Sequence, residues 1–392
     1  MKRILLTVLA LGSLIFANAQ SEYYDKTAAH KYNLRPIYTA VPSLQIAPDA
    51  RAGGMGDIGA SSAPDLNSQY WNPAKFPQMQ SNGGIAFSYT PWLKNLVSDI
   101  NLFYLTGFWQ FAPKQALSAS LKYFSLGEVQ FRNNDSDPGV NVKPNEFSVD
   151  LAYSRLLSEC WSAAVALRYI RSDLGGGVSN ELYAGNAVAA DIAVYYLQPL
   201  RCGAGSDLAL GIDISNIGSK ISFDDGNTKD FLPTNFRLGL AFGYKFDDYN
   251  KLTIMGETNK LLVPCQYEKD GTLMDDKKYS DISPISGIFK SFSDAPDGFK
   301  EELKEFMWSL GLEYSYQDQF FARCGYFHES QDKGNRKYFT FGAGFKLNIF
   351  ELQAAYVIAQ GNNNPLDKTL RFTLGFDMAG LKTMVSNKRA QN

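Results

Sequence analysis

Between Gly83 and Asp377 the chain alternates apolar with polar or small residues in stretches of about ten residues, and the pattern recurs about fourteen times. Phe147, Val149, Leu151 and Tyr153 alternate with Ser148, Asp150, Ala152 and Ser154. Trp161, Ala163, Val165, Leu167 and Tyr169 stand against Ser162, Ala164, Ala166 and Arg168, and Leu370, Phe372, Leu374 and Phe376 against Arg371, Thr373 and Gly375. Successive side chains of a strand point to opposite faces, so each stretch is a strand with one large apolar face and one face that is small or charged. The pattern predicts strands over 83–91, 98–111, 115–125, 145–157, 160–171, 186–198, 206–217, 233–246, 250–259, 305–317, 319–329, 336–347, 349–360 and 367–377.

The connections alternate too. Those after even-numbered strands are brief, as at Ala112-Pro113-Lys114 and Gln317-Asp318-Gln319, whereas 126–144, 172–185, 218–232 and 260–304 are long. A soluble β-sandwich would also alternate, because a core face and a solvent face give the same period. Three observations favour a transmembrane barrel. The strands have the length of tilted membrane strands. Aromatic residues form 14% of the chain and gather near strand ends, as at Trp92, Trp109, Tyr195, Tyr196, Tyr244 and Tyr314. The third is the opening of the chain, where Lys2 and Arg3 precede an apolar run from Ile4 to Phe16 and an Ala17-Asn18-Ala19 cleavage pattern before Gln20. The expected organisation is a signal peptide over 1–19, a plug or hatch segment over 20–82, an all-β, 14-stranded antiparallel outer-membrane barrel over 83–377 and a tail over 378–392. A barrel this wide needs a plug or fills with water. With an even strand count, the short turns are periplasmic and the long loops extracellular.

The formal net charge of -2 with no basic block gives no reason to expect a nucleic-acid partner. Four cysteines lie far apart, without a metal-binding pair, so no metal or cofactor is expected. Cys160 and Cys202 fall in turns at the same end of the barrel, where a disulfide between them is open to test by non-reducing mass mapping.

Gly54-Met55-Gly56-Asp57-Ile58-Gly59 matches a dinucleotide-binding G-x-G-x-x-G, but no strand leads into it and no βαβ unit surrounds it; a closely packed plug explains these glycines better. Asn133, Asp135 and Asp137 imitate a calcium loop, with Pro138 where glycine is required. His30 and His328 are the histidines, and His328-Glu329-Ser330 is the sole candidate acid/base set; a rim histidine without catalytic work is the simpler reading. In the longest loop Phe299, Leu303, Phe306 and Met307 fall at helical spacing and predict an amphipathic helix, packed on its own barrel or offered to a partner.

The stretch from Pro48 to Ser61, containing Gly53, Gly54, Gly56, Asp57 and Gly59, followed by Trp71-Asn72-Pro73-Ala74-Lys75-Phe76, resembles the start of the PorV (LptO) family, relatives of FadL-type fatty-acid transporters. Asn72-Pro73-Ala74 is similar to the NPA triplet of FadL-type hatches. The resemblance implies a FadL-like barrel in the outer membrane and a shuttle of the type IX secretion system. Such a shuttle takes secreted cargo by its C-terminal signal domain from the translocon to a sortase-like attachment complex that joins it to lipopolysaccharide. The role needs no catalytic residues. The same resemblance implies two alternatives: transport of a hydrophobic ligand through the barrel, and lipid A deacylation, for which His328 and Ser330 are the residues to substitute. Two features depart from a plain transporter: the chain runs on beyond Phe376, so the terminal aromatic is internal, and the length of 260–304 favours protein binding.

Overall fold

The computed structural model describes residues 35–94, 97, 99–131, 139–175, 183–360 and 366–378. The expected signal segment, residues 20–34, the tail beyond Met378, His30 and the Asn133-Asp135-Asp137 set lie outside the described residues. The strands are β1 (Gly83–Pro91), β2 (Asn101–Ala112), β3 (Gln115–Ser125), β4 (Val129–Phe131), β5 (Val140–Val142), β6 (Asn145–Leu156), β7 (Trp161–Asp173), β8 (Gly185–Pro199), β9 (Asp207–Gly218), β10 (Asn235–Lys245), β11 (Asn250–Leu261), β12 (Met307–Tyr316), β13 (Phe320–His328), β14 (Lys337–Leu347), β15 (Phe350–Ala359) and β16 (Leu370–Asp377). Short helices are α1 (Ala50–Gly53), α2 (Ser68–Trp71), α3 (Asp276–Ser280), α4 (Pro284–Lys290) and α5 (Phe299–Lys304), with 3-10 turns at Pro42–Gln45 and Pro73–Gln78.

All strands but the β4-β5 hairpin form one closed barrel of neighbours in sequence, shut where β1 pairs antiparallel with β16, Ile85 opposite Phe376. Each of the fourteen barrel strands lies where alternation places it, with ends displaced by at most about three residues. The sorting of side chains settles barrel against sandwich. Val149, Leu151, Val165 and Leu167 point outward, Leu167 at 66% exposure, while Ser148, Asp150, Ala152, Ser154, Ser162, Ala166 and Arg168 are buried inward. A soluble sheet buries its large apolar face; this one presents it, as a surface wetted by lipid requires. Aromatic side chains flank the belt, Trp161 against Tyr196 at 4.7 Å and Phe320 against Phe345 at 5.1 Å between ring centres.

The segment before β1 lies within the barrel. Its Pro73–Gln78 turn packs on β6, β7 and β8 and its α1 on β14, β15 and β16, walls on opposite sides of the closed ring. The 260–304 connection folds into α3, α4 and α5 over the long-loop end. Here the expected helix is corrected. Only Phe299 and Leu303 belong to α5; Phe306 lies beyond its end, and Met307 opens β12 with its side chain buried. The alternation that starts at Met307 and runs through Ser309, Gly311 and Glu313 claims that residue for the strand.

Candidate functional site

A lumen segment with little regular structure must find partners for its backbone N–H groups. The barrel wall supplies them. Ala50 N donates to Thr373 Oγ1 at 2.9 Å and Gly56 N to Thr340 Oγ1 at 2.8 Å. Gly59 N and Ala60 N both donate to Glu257 Oε2, at 3.0 and 2.8 Å, so a buried carboxylate on β11 closes that turn. Asp49 caps α1 through Ala52 N and also accepts the Trp71 indole N–H at 2.6 Å.

The predicted glycines allow backbone to lie on backbone. A Cβ on Gly54 would stand 2.9 Å from the Cα of Gly342 on β14, and one on Gly56, whose φ is +75°, would stand 2.8 Å from the Tyr326 carbonyl oxygen. Gly53 abuts the Arg371 side chain and Gly59 the Trp71 ring. Asp57, in the left-handed region, accepts from Tyr338 Oη at 2.6 Å and pairs with Arg371. Asn72 is the staple of the triplet: its Oδ1 accepts from Ala74 N at 3.0 Å, and its Nδ2 donates to Ala60 O at 3.1 Å and to Val194 O of β8 at 3.0 Å. Pro73 occupies the first turn position, where no N–H is needed, and Ala74 is fully buried.

Charges lock the same segment. Arg51 reaches Glu313 on β12 at 2.9 Å and Asp65 at 2.9 Å, and Glu313 also receives Arg323 at 2.6 Å. Around the wall Arg168 joins Asp150 and Asp191, and Arg237 joins Asp213 at 2.9 Å. Asn216, with φ +60° at the β8-β9 irregularity, brings its N–H to Asp191 Oδ1 at 2.7 Å. Removing one member of such a buried pair costs about 3–5 kcal/mol.

At the long-loop end α5 turns its acids, and not its apolar residues, toward the barrel. Glu301, Glu302 and Glu305 face inward onto cations from three separate segments. Lys260 at the end of β11 meets Glu302 at 3.2 Å and also Glu305; Lys333 meets Glu301 at 2.7 Å and Glu305 at 3.0 Å; Arg35 meets Glu301 at 3.2 Å and Asp297 at 3.3 Å. With acids clamped beneath, the apolar residues point away from the barrel: Phe299 is 76% and Leu303 54% exposed. Helix α4 repeats this with Phe289 at 73% and Ile285 at 66%. Sequence periodicity found Phe299 and Leu303 but missed α4, whose seven residues give too few positions for a helical period.

The cap carries a pH-sensitive contact. Asp294 Oδ2 accepts from Cys265 N at 2.8 Å, and burial, helped by Glu305 and Glu302, pushes its carboxyl up to about 6. A carboxyl whose folded pKa lies above its ordinary 3.8 favours folding most below that value and progressively less as pH rises through about 6. Glu301 is shifted down and loses its contribution only at lower pH. Hydrogen exchange over residues 262–268, corrected for the intrinsic rate, is therefore expected to show more protection at about pH 5 than at about pH 7.5. Asp294→Asn is expected to flatten that difference; an undiminished difference in the variant would assign it to another group.

Two sequence candidates are not brought together. All four cysteines are free, so the Cys160–Cys202 disulfide is not formed. Cys160 Sγ donates to Gln198 Oε1 at 3.2 Å, whereas the turn carrying Cys202 leans toward β10, Ala204 N donating to Lys245 O at 2.9 Å. The His328-Glu329-Ser330 set is not assembled either. His328 stacks on Trp308 at 4.8 Å, while the next residue, Glu329, is buried and holds Arg336 through both carboxylate oxygens at 2.8 Å. Neighbouring residues of an extended chain point apart.

The family model described as "Type IX secretion system protein PorV" matches residues 29–268. No curated protein matches the chain. Similar solved structures include the Pseudomonas putida toluene transporter TodX, with TM-score 0.47 and 10% identity over 88% of this chain and 98% of that one. The CymD monoaromatic hydrocarbon channel aligns with TM-score 0.46 and 14% identity over 84% and 97% of the two chains. The Ralstonia pickettii toluene transporter TbuX aligns with TM-score 0.44 and 9% identity over 88% and 98%.

Proposed function

Because the chain belongs to the PorV family of type IX secretion system proteins, we propose that it acts in the outer membrane as a receptor and shuttle for the secreted cargo of that system. It receives the C-terminal signal domain of cargo at the translocon and delivers it to the sortase-like attachment complex that joins it to lipopolysaccharide. The observation that carries this reading is the inverted cap, in which an ionic network buries three glutamates and leaves Phe299 and Leu303 standing outward, alongside the exposed Ile285 and Phe289 of α4. Water alone gives no reason for that orientation; an apolar partner surface does. The lumen segment acts as a fixed plug, so the barrel serves as an anchor and the loops outside the cell do the binding. No step requires a nucleophile or a metal. Affinity purification of the full chain from its native membrane tests the proposal: secreted proteins with intact C-terminal domains are expected to co-purify, and their absence while the barrel and translocon are recovered would overturn it.

One observation favours a second reading, retention of a hydrophobic ligand. A cavity of about 330 Å³ lies between the lumen segment at Pro42–Ala47 and Trp92, Leu93, Ile100, Phe124 and Val357. It reaches the plug, as a FadL-type uptake path would. Lipid retained by the purified protein, with no cargo bound, would favour this reading over the shuttle.

A further inference from the structure

A second cavity at the long-loop end, of about 370 Å³, has walls of a different chemistry. Tyr38, Phe223, Phe231 and Tyr279 supply aromatic rings, and Glu146 and Asp230 supply two carboxylates. Glu146 stands at the top of β6, only 3% exposed. Its Oε1 accepts from Ser172 Oγ at 3.1 Å, but its Oε2 is buried with no hydrogen-bond partner among the described residues. A buried carboxylate oxygen left unpaired carries a desolvation cost that a native structure ordinarily offsets with a donor. Lys122, on the neighbouring strand β3, is committed elsewhere: its Nζ donates to Ile46 O at 2.7 Å and stands 4.5 Å from the Tyr70 ring centre.

Two of the rings that line the cavity already face a positive charge of the protein itself. Lys220 Nζ lies 3.9 Å from the centre of Phe231 and 5.9 Å from that of Tyr279, and is held there by the Tyr279 and Ser280 carbonyls at 3.2 and 2.9 Å. Asp230 is exposed at the cavity wall, with no ion pair among the described residues. Its carboxyl is shifted upward by partial desolvation on the cavity side and by Asp224, against the opposing pull of Lys220.

We propose that this cavity binds an organic cation, an alkylammonium or guanidinium group, whose charged head donates to Glu146 Oε2 and whose alkyl stem lies between the aromatic walls toward Asp230. The chemistry excludes a hard divalent ion, which needs six to eight oxygen ligands, or an octahedral set of them. Aromatic faces next to a carboxylate suit a weakly hydrated cation with apolar carbon attached. Two sources can present that group, a lysine or arginine side chain of a polypeptide and a free polyamine.

Saturation-transfer NMR on the full-length protein in detergent distinguishes them, with Nα-acetyl-lysine amide as the peptide-borne head, cadaverine as the free amine and Nα-acetyl-norleucine amide as the neutral isostere. At least one cation is expected to bind and norleucine amide to bind at least about tenfold more weakly, as loss of a charge-assisted contact implies. Preference for the lysine derivative assigns a polypeptide source, and preference for cadaverine a free polyamine. Glu146→Gln, which keeps the shape and the Ser172 contact, is expected to weaken the cation by a similar factor. Asp230→Asn, at an exposed position that leaves packing unchanged, is expected to weaken it less, and provides the comparison if Glu146→Gln alters the fold. Equal transfer to norleucine amide, binding undiminished in both variants, or no transfer to either cation would overturn the proposal.

Discussion

A Gly342→Val barrel is expected to conduct ions in a planar bilayer where the parent protein is silent. Gly342 lies on β14 with its ideal Cβ 3.1 Å from the Cα of Gly54, and the reciprocal distance is 2.9 Å. Both contacts are backbone on backbone, so no side chain can rotate away, and overpacking of this kind costs about 1–3 kcal/mol even where relaxation is possible. Relief requires the lumen segment to move. Within a few residues of Gly54 lie Ala50 N on Thr373, Gly56 N on Thr340 and the Arg51–Glu313 pair, and a shift of about an ångström weakens all of them together. The barrel ladder does not depend on these bonds, so heat-modifiable migration is expected to stay as in the parent. Gly256→Val controls for the added valine alone: it lies on the outward face of β11, where the closest atom to its added Cβ is the Leu310 side chain at 3.7 Å, an ordinary contact. Conductance equal in the two variants would mean that the glycine contact does not seat the plug.

The alternation of residues was enough to locate the strands because a membrane barrel must separate lipid-facing from lumen-facing side chains at every second position, and that demand is written locally. The close packing of the glycine-rich segment was legible for a related reason, since Gly53, Gly54, Gly56 and Gly59 mark close approach whatever they approach. Partners across the lumen were not. Arg168 reads in sequence as one charge on a small face, yet its acceptors come from β6, β8 and β9, and the last is brought in by a left-handed Asn216. The facing of α5 was not legible, because helical spacing identifies an apolar stripe without saying which way it turns. The stripe normally turns inward; here the rim beneath it holds Lys260, Lys333 and Arg35, so the glutamates turn inward instead. The unpaired oxygen of Glu146 has no sequence signature, because its isolation is a property of the folded rim.

The orientation of the cap leads to the second large effect: replacing Phe289, Phe299 and Leu303 together by serine is expected to lower cargo capture by at least about tenfold, as removal of exposed aromatic anchors does at protein interfaces. Stability should hardly change. At 73%, 76% and 54% exposure these side chains contribute little packing, and surface substitutions away from caps and buried networks usually stay within about 0.5 kcal/mol. The ion pairs of Glu301, Glu302 and Glu305 lie on the opposite side of α5 and remain intact. Capture is measured as secreted protein recovered with the tagged barrel, and folding as the melting temperature of the same preparation. Deletion of 262–303 is expected to abolish capture altogether, because it removes α3, α4 and all but the last residue of α5. If the deletion abolishes capture while the triple variant retains it, docking belongs to another face of the cap. If neither changes it, cargo is held elsewhere on the barrel, and the outward apolar residues must meet the membrane surface instead.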